Sequence, residues 1–441
     1  MEKLKYRTID LCAGIGGIRR GFEMTGRFEN VLSAEIDAAA RKTYKWLYDE
    51  DPECDLTTNE FKNKTAEIGC DVLLAGFPCQ TFSSAGLQAG FEDEKKGVIF
   101  FHILEIMKRC TPKAVFLENV ENLLCHDGGK TLRTIIESLE FHRNYKVIGV
   151  TLSEGPDGKK ECVYSRQSFL RNTKNFGLPQ NRPRVYIMAF SRKHFGKAVD
   201  VLNGLQLPLC GEKVVFPDIM SLLETNVDDH YYMASGYLET LKRHKRRQQG
   251  KNNGFGYAVV NELKRADGRY ISNTILATGG SGKECNLIRQ PKAGVAGKLL
   301  PSKKTPLNDE GLRVMTPTEW GRLQGFLGYA FVDEETGEDK FSFPPGVPES
   351  QKYKQFGNSV SVPVINEMAK FMLRCFDLMD PDYLKIRVMG MLKRGGFLTR
   401  SMVATQLKIN PLKAAAALKE LVDEGMLHKR GNRRSTRYTK W

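Results

Sequence analysis

Asp71-Val72-Leu73-Leu74-Ala75-Gly76-Phe77-Pro78-Cys79-Gln80-Thr81-Phe82-Ser83 is the stretch that decides how this chain reads. The apolar run after Asp71 predicts a buried strand, and Gly76 turns the backbone out of it. A cysteine just past the C-terminal end of a strand, beside a rigid proline, faces the crevice where open α/β sheets bind ligands. Its thiolate is a strong nucleophile once its pKa is lowered or a proton acceptor stands nearby. Free cysteine is also among the most buried residue types, so Cys79 taken alone reads rather as core. Its neighbours decide between the two.

Three more strands end in residues with chemistry. Lys113-Ala114-Val115-Phe116-Leu117-Glu118-Asn119-Val120 carries a carboxylate at its end, and Pro179-Gln180-Asn181-Arg182-Pro183-Arg184-Val185-Tyr186-Ile187-Met188 runs two arginines into an apolar strand. Thr8-Ile9-Asp10-Leu11-Cys12-Ala13-Gly14-Ile15-Gly16-Gly17 is a strand entering a glycine turn, and Glu35 closes the next apolar run, Asn30-Val31-Leu32-Ser33-Ala34. A glycine turn followed about 20 residues later by an acid also describes dinucleotide folds. Here the third glycine of that fingerprint is missing. Up to about residue 195, strands alternate with helical stretches such as Ile103–Met107 and Leu132–Glu137. That alternation predicts an α/β fold with a mostly parallel, doubly wound sheet.

In this order the motifs resemble the DNA (cytosine-5) methyltransferase family. The glycine turn is similar to its first motif, Phe77 to Ser83 to its Pro-Cys-Gln motif, and Glu118-Asn119-Val120 to its Glu-Asn-Val motif. Gln180, Arg182 and Arg184 match Gln-x-Arg-x-Arg, Leu323-Gln324-Gly325-Phe326 resembles the ninth motif, and Phe356-Gly357-Asn358-Ser359-Val360 the tenth. The resemblance spans roughly residues 7 to 376 and implies a Rossmann-like S-adenosylmethionine-dependent fold. It implies Cys79 as nucleophile toward cytosine C6, Glu118 as proton holder at N3, Arg182 on the base O2 and the carboxylate, and Arg184 supporting Cys79. For the donor S-adenosylmethionine it implies Asp10, Gly14, Gly16, Gly17, Glu35 on the ribose hydroxyls, Ile36, Asp55 on the adenine amino group, Leu56, Pro78, Asn358, Ser359 and Val360. Cys12 and Ile36 stand where the family commonly has Phe and Trp, which implies weaker adenine contact.

For DNA the resemblance implies contacts from Gln80, Ser83 and Ser84, a mobile loop over Ser84 to Gly90 that closes on a flipped base, and Thr274, Gly279 and Gly280 reading the duplex. Thr274-Ile275-Leu276 with Gly279-Gly280-Ser281-Gly282 also reads as a plain β-hairpin. The implied activity is methylation of cytosine C5 in a specific duplex sequence. A restriction-modification role comes first, with a cognate endonuclease acting on the same site without a stable complex. A DNA-binding regulator and a transfer RNA methylase are the alternatives, the latter disfavoured by the long segment before the ninth motif.

Length and charge agree with this picture. With 441 residues the chain has room for two or three domains: a catalytic domain over 1–199, target recognition over 200–300, a return to the catalytic domain over 301–380, and a separate unit over 381–441. A net charge of +15 points to a polyanionic partner. Ten cysteines without a C-x-x-C pair give no expectation of a metal and fit a reducing cytosol. The expectation is therefore a monomeric bacterial cytosolic enzyme, on the nucleoid when bound to DNA, with no membrane partner. The basic run Lys242-Arg243-His244-Lys245-Arg246-Arg247 reads equally as a solvated helix face or a phosphate contact.

Residues 381–441 hold 14 Lys plus Arg against 4 Asp plus Glu, ten of the fifteen surplus charges. Asp380-Pro381-Asp382 reads as a linker. Helices over Tyr383–Lys393, Thr399–Leu407 and Pro411–Glu420 are expected, then strands Met426–Arg430 and Thr436–Lys440. The order resembles a winged helix-turn-helix domain, which implies a DNA-binding unit over 381–441 with its third helix in the major groove and its loop on the backbone; binding protein or merely packing are the lesser alternatives.

Overall fold

The computed structural model describes residues 5–53, 55–78, 99–250, 257–279, 286–392, 396–407, 409–431 and 436–440. They form two compact units, residues 1–194 with 204–370, and residues 195–203 with 371–441. Of the segment expected to recognise the target, 200–300, residues 204–300 belong to the first unit and 200–203 to the second.

The first unit is built on a seven-stranded sheet. In chain order its strands are β1 (Tyr6–Leu11), β2 (Phe28–Ala34), β3 (Val72–Gly76), β4 (Ala114–Val120) and β5 (Tyr145–Val147). After a hairpin of β6 (Thr151–Glu154) and β7 (Lys160–Val163) come β8 (Leu170–Asn172), the short β9 (Gln180–Asn181) and β10 (Pro183–Ser191). The spatial order is β2-β1-β3-β4-β10-β5, with β8 also on β10. β1 pairs in parallel with β2 and β3, and β3 with β4, whereas β10 runs antiparallel to β4, β5 and β8. The sheet is thus mixed rather than mostly parallel. This matters for the site: an antiparallel β10 starts where β3 and β4 end, pairing Arg184 with Val120. A parallel strand would have carried its arginines to the far edge.

Alternation along the strands supplies two buried faces. Ile9, Leu11, Leu73, Ala75, Val115, Leu117, Val185 and Ile187 share one core with Phe61, Ile103, Met107 and Ile135. These last four sit on helices Asn59–Ile68, Ile99–Cys110 and Lys130–Glu137. Fully burying a Leu, Ile or Phe contributes about 1.5–3 kcal/mol, so this core dominates the unit's stability. On the other face Phe116 meets Phe22 of helix Gly17–Glu23 at 5.3 Å between ring centroids. Gly21 in that helix lets helix Val362–Met379 come close: an added Cβ would sit 2.5 Å from Ile365, and Asn366 Nδ2 donates to the Gly21 carbonyl at 2.9 Å.

Beyond the sheet, β11 (Ala258–Val259), β13 (Asn286–Arg289) and β14 (Leu312–Val314) form a small sheet, and β12 (Ser272–Asn273) pairs in parallel with β9. Helix Pro317–Gln324 starts with a capping box, Thr316 and Glu319 each satisfying the other's backbone N–H. The basic run lies on helix Ser235–Gln249.

The second unit carries helices Pro381–Gly390, Arg400–Leu407 and Pro411–Asp423, then the antiparallel pair β15 (His428–Arg430) and β16 (Arg437–Thr439). Leu398 bridges to Tyr438 beside that pair. Its own core holds Val388, Leu398, Val403, Leu407, Ala414, Leu418, Leu421 and Leu427. The stretch at 380–382 is a helix start and not a linker, because Asp380 caps the N–H of Asp382 at 2.9 Å with Pro381 in the first turn. No helix among the described residues is long and apolar enough to cross a membrane.

Candidate active site

The C-terminal ends of β1, β3 and β4 and the start of β10 open into one cavity of about 720 Å³. Its walls include Gly14, Gly17, Glu35, Ile36, Asp55, Leu56, Pro78, Glu118, Arg182, Arg184, Asn358, Ser359 and Val360. Residues as far apart in sequence as Gly14 and Val360 thereby meet. Asp10, Gly16, Thr274 and Gly279 are not among its walls. Cys79, Gln80, Ser83, Ser84 and Gly280 lie outside the described residues.

One end of the cavity is the glycine turn. Gly14 has φ +56°, and an added Cβ would meet nothing within 4 Å, so its backbone is open to the cavity. Its N–H donates to Glu35 Oε2 at 2.7 Å, while Glu35 Oε1 accepts from Asp37 N at 2.7 Å. The other two glycines serve packing. At Gly16 (φ +77°) a Cβ would stand 2.3 Å from the Tyr48 ring, whose Oη donates to the Gly16 carbonyl at 2.8 Å. At Gly17 it would stand 2.8 Å from Val360 and 2.9 Å from Ser359, so the absent side chain lets the 359–360 segment pack against the glycine turn. Ile36 projects at the wall, 71% exposed. Asp55 is exposed, its carboxyl held below the usual range by the N–H of Thr57.

Asp10, expected as a donor ligand, lies fully buried inside β1. Its Oδ2 accepts from the N–H of Arg19 at 3.3 Å, and its Oδ1 has no hydrogen-bond partner. Burial pushes its carboxyl up to about 7. It sits in the interior of the sheet because strand alternation turns it away from the cavity.

The other end holds the acid and the arginines. Glu118 is buried, and desolvation raises its carboxyl above the ordinary range although Arg184 and Arg182 pull the other way. The next residue, Asn119, donates from Nδ2 to the Phe77 carbonyl at 2.9 Å and accepts from Val120 N at 2.9 Å. It thereby pins the backbone two residues before Cys79.

The arginine expected at the carboxylate, Arg182, is not the one that meets it. Arg184 is the one beside the carboxylate, Nε to Glu118 Oε1 at 3.4 Å. Arg182 spreads its guanidinium over three backbone carbonyls: Nη1 to Ile275 at 2.9 Å, Nη2 to Gly357 at 3.0 Å and Ser359 at 2.6 Å. Burial lowers its pKa to about 9. The physical reason is geometric: three carbonyls converging from two distant segments suit a planar fork of five donors.

This clamp belongs to a buried polar network. Gln180 accepts from Ile275 N at 3.2 Å and donates to the Leu323 carbonyl at 2.9 Å. Gln324 donates to the carbonyls of Phe356 and Ser359 and accepts from Ser361 Oγ at 2.8 Å. Thr274 is used in the same docking, its hydroxyl donating to the Asn181 carbonyl at 2.7 Å. Gly279 is where Trp320 crosses, since a Cβ there would fall 2.0 Å from the indole.

Among the wall residues that sequence reasoning missed are Lys354 and Asp37. Lys354 pairs with Asp37 at 2.6 Å across the cavity wall, and Asp37 also caps helix Ala38–Tyr48. Signals for both existed: Lys354 precedes Asn358 by one helical turn, and Asp before Ala-Ala-Ala is a helix start.

Fold and site together place the chain among DNA methyltransferases of the cytosine-C5 type. It belongs to the C-5 cytosine-specific DNA methylase family, whose model matches residues 6–374. It is 39% identical over 377 residues to type II methyltransferase M.HpaII of Haemophilus parainfluenzae, covering 84% of this chain and 89% of that one. It is 36% identical over 373 residues to type II methyltransferase M1.ScrFI of Lactococcus lactis subsp. cremoris, covering 85% and 79%. Among solved structures, the Entamoeba histolytica methyltransferase EhMeth superposes with a TM-score of 0.54 at 20% identity, over 86% of this chain and all of that one.

Proposed function

We propose that the chain transfers a methyl group from S-adenosylmethionine to C5 of a flipped cytosine in a specific duplex sequence, as the modification enzyme of a restriction-modification system. The observation that carries this is a buried acid of raised pKa, Glu118, beside Arg184 in the same cavity as the glycine turn and Pro78. The donor fits that cavity. The open backbone at Gly14, the carboxylate of Glu35 and the wall formed by Ile36, Asp55, Leu56 and Asn358 to Val360 suit an amino acid joined to a nucleoside. When bound, the donor supplies an electrophilic methyl group on a sulfonium sulfur.

Everything else falls to the protein. The thiolate of Cys79 adds to C6 of the cytosine, forming an S–C6 bond. Electron density moves from the C5–C6 double bond toward N3, where Glu118, its carboxyl pKa raised by burial, gives up a proton. Arg184 balances the carboxylate that results. C5, now enamine-like, takes the methyl group. Its proton then leaves to water, the S–C6 bond breaks to regenerate the thiolate, and Glu118 regains the N3 proton. Asn119 holds the Phe77 carbonyl, two residues before Cys79 in sequence, throughout. The base must leave the stack first, at a cost of a few kcal/mol. Reading of flanking bases is assigned to the 200–300 region. The clamp at Arg182, Gln180 and Gln324 keeps its Ile275 segment fixed against the catalytic residues.

Bisulfite sequencing of plasmid DNA from cells expressing the chain tests this reading. Protected cytosines in one recurring sequence are expected. Plasmid without protected cytosines, from cells holding folded protein, refutes it.

A further inference from the structure

Residues 381–441 lie beyond the family match, which ends at 374, and the chemistry above makes no use of their charge. Of the four acids in residues 381–441, Asp382 and Glu424 are both taken by Lys385. The hairpin is different. In the register of β15 on β16, Arg430 stands directly opposite Arg437, with Lys429 next to it opposite Tyr438. Like charges facing each other across a strand pair destabilise it. Even so, all three cations are exposed, and among the described residues none of them meets a carboxylate. The guanidinium of Arg437 lies 4.3 Å over the Phe397 ring, which orients it without neutralising it. In the basic helix Ser235–Gln249, Lys242 is held by Glu239 and Glu310, and no two cations are set face to face by a strand register.

We propose that this hairpin is a second DNA contact, holding the phosphate backbone of duplex DNA independently of the methylation site. An uncompensated, self-repelling cation cluster becomes favourable when a polyanion supplies the missing charge, and each phosphate neutralised releases condensed counterions. Duplex DNA is the polyanion this family of enzymes already works on. A second hold on the same polymer raises the local concentration of sites for the catalytic unit without adding a contact there.

The test uses the full chain with Lys429→Gln, Arg430→Gln and Arg437→Gln together. Binding is measured by fluorescence anisotropy, without donor, to a short duplex of A·T pairs alone, over about 50 to 200 mM salt. Such a duplex offers no cytosine, so the result does not depend on the methylation reading. The plot of log affinity against log salt should become shallower by about 2 to 3, and affinity at the lower salt should fall about tenfold or more. The unfolding temperature should stay equal or rise, because the repulsion is gone. A second variant that keeps the charge, Lys429→Arg with Arg430→Lys and Arg437→Lys, should retain the wild-type slope. Unchanged slope and affinity in the neutral variant would overturn the proposal and leave an acidic protein as the partner to seek. Affinity lost at constant slope, or lost equally in the charge-keeping variant, would overturn it as well.

Discussion

Replacing Arg182 by Ala should cost mainly stability, and the size of the loss follows from the three carbonyls the side chain serves. Ser359 keeps a donor, the Gln324 amide at 3.2 Å. The Arg182 bonds to Ile275 at 2.9 Å and Gly357 at 3.0 Å are lost outright. A buried acceptor stranded without its donor costs about 1–3 kcal/mol, so the loss is about 2–6 kcal/mol, a large share of the roughly 5–15 kcal/mol a domain has. Arg182→Lys keeps the charge but not the fork, and should fall between. Arg184→Ala should cost much less stability, since Arg184 donates to its neighbour Pro183 and meets Glu118 only at 3.4 Å. Its loss should appear in kcat instead. Urea unfolding of the three variants, with turnover measured on the folded fraction at low temperature, separates these effects. If Arg182→Ala unfolds with the wild-type midpoint while turnover disappears, Arg182 is a substrate ligand and the clamp is wrong.

Other outcomes follow from the same geometry. Glu118→Gln should lower kcat by about 10²–10⁴ with DNA affinity retained, as read by single-turnover kinetics and anisotropy, because a neutral amide cannot pass a proton to N3. Asp10 gives a pH effect of defined sign: with its folded pKa at about 7 against 3.8 in the open chain, its burial is fully tolerated below about pH 4 and penalised as pH rises through 7. Asp10→Asn should therefore gain stability relative to the wild type across that window, by about 4 kcal/mol above pH 7; parallel unfolding curves at pH 5 and pH 8 would contradict this. Ile36→Trp should tighten donor binding about 2- to 10-fold by calorimetry, the 0.5–1.5 kcal/mol of an aromatic contact, since Ile36 stands exposed at the cavity wall.

The strand ends and the glycine turn were legible because apolar runs stopping at Gly76, Glu118 and Gly14 mark where an α/β sheet opens. Glu118, Glu35 and the 358–360 segment accordingly meet in one cavity. The direction of β10 was not legible: Val185–Met188 is equally apolar in either sense, and only the antiparallel sense brings Arg184 to Val120. Nor was the division of labour between Arg182 and Arg184. Residues two apart on an extended chain point the same way, so the choice was made by the carbonyls of Ile275, Gly357 and Ser359, far away in sequence. Asp10 was assigned to the donor through its place in a motif, whereas strand alternation buries it. The linker at 380–382 was misread for a similar reason, since Asp-Pro-Asp is both a chain break and a strong helix cap.

The bond between sulfur and pyrimidine is the step on which all the rest depends. A duplex carrying 5-fluorocytosine at the modified position, incubated with enzyme and methyl donor, should leave a stable covalent complex, because fluorine at C5 cannot depart as the proton does. Peptide mass mapping of that complex should locate the nucleotide on Cys79. Mapping to another side chain, or the absence of any complex while ordinary cytosine in the same duplex is methylated, would contradict the account.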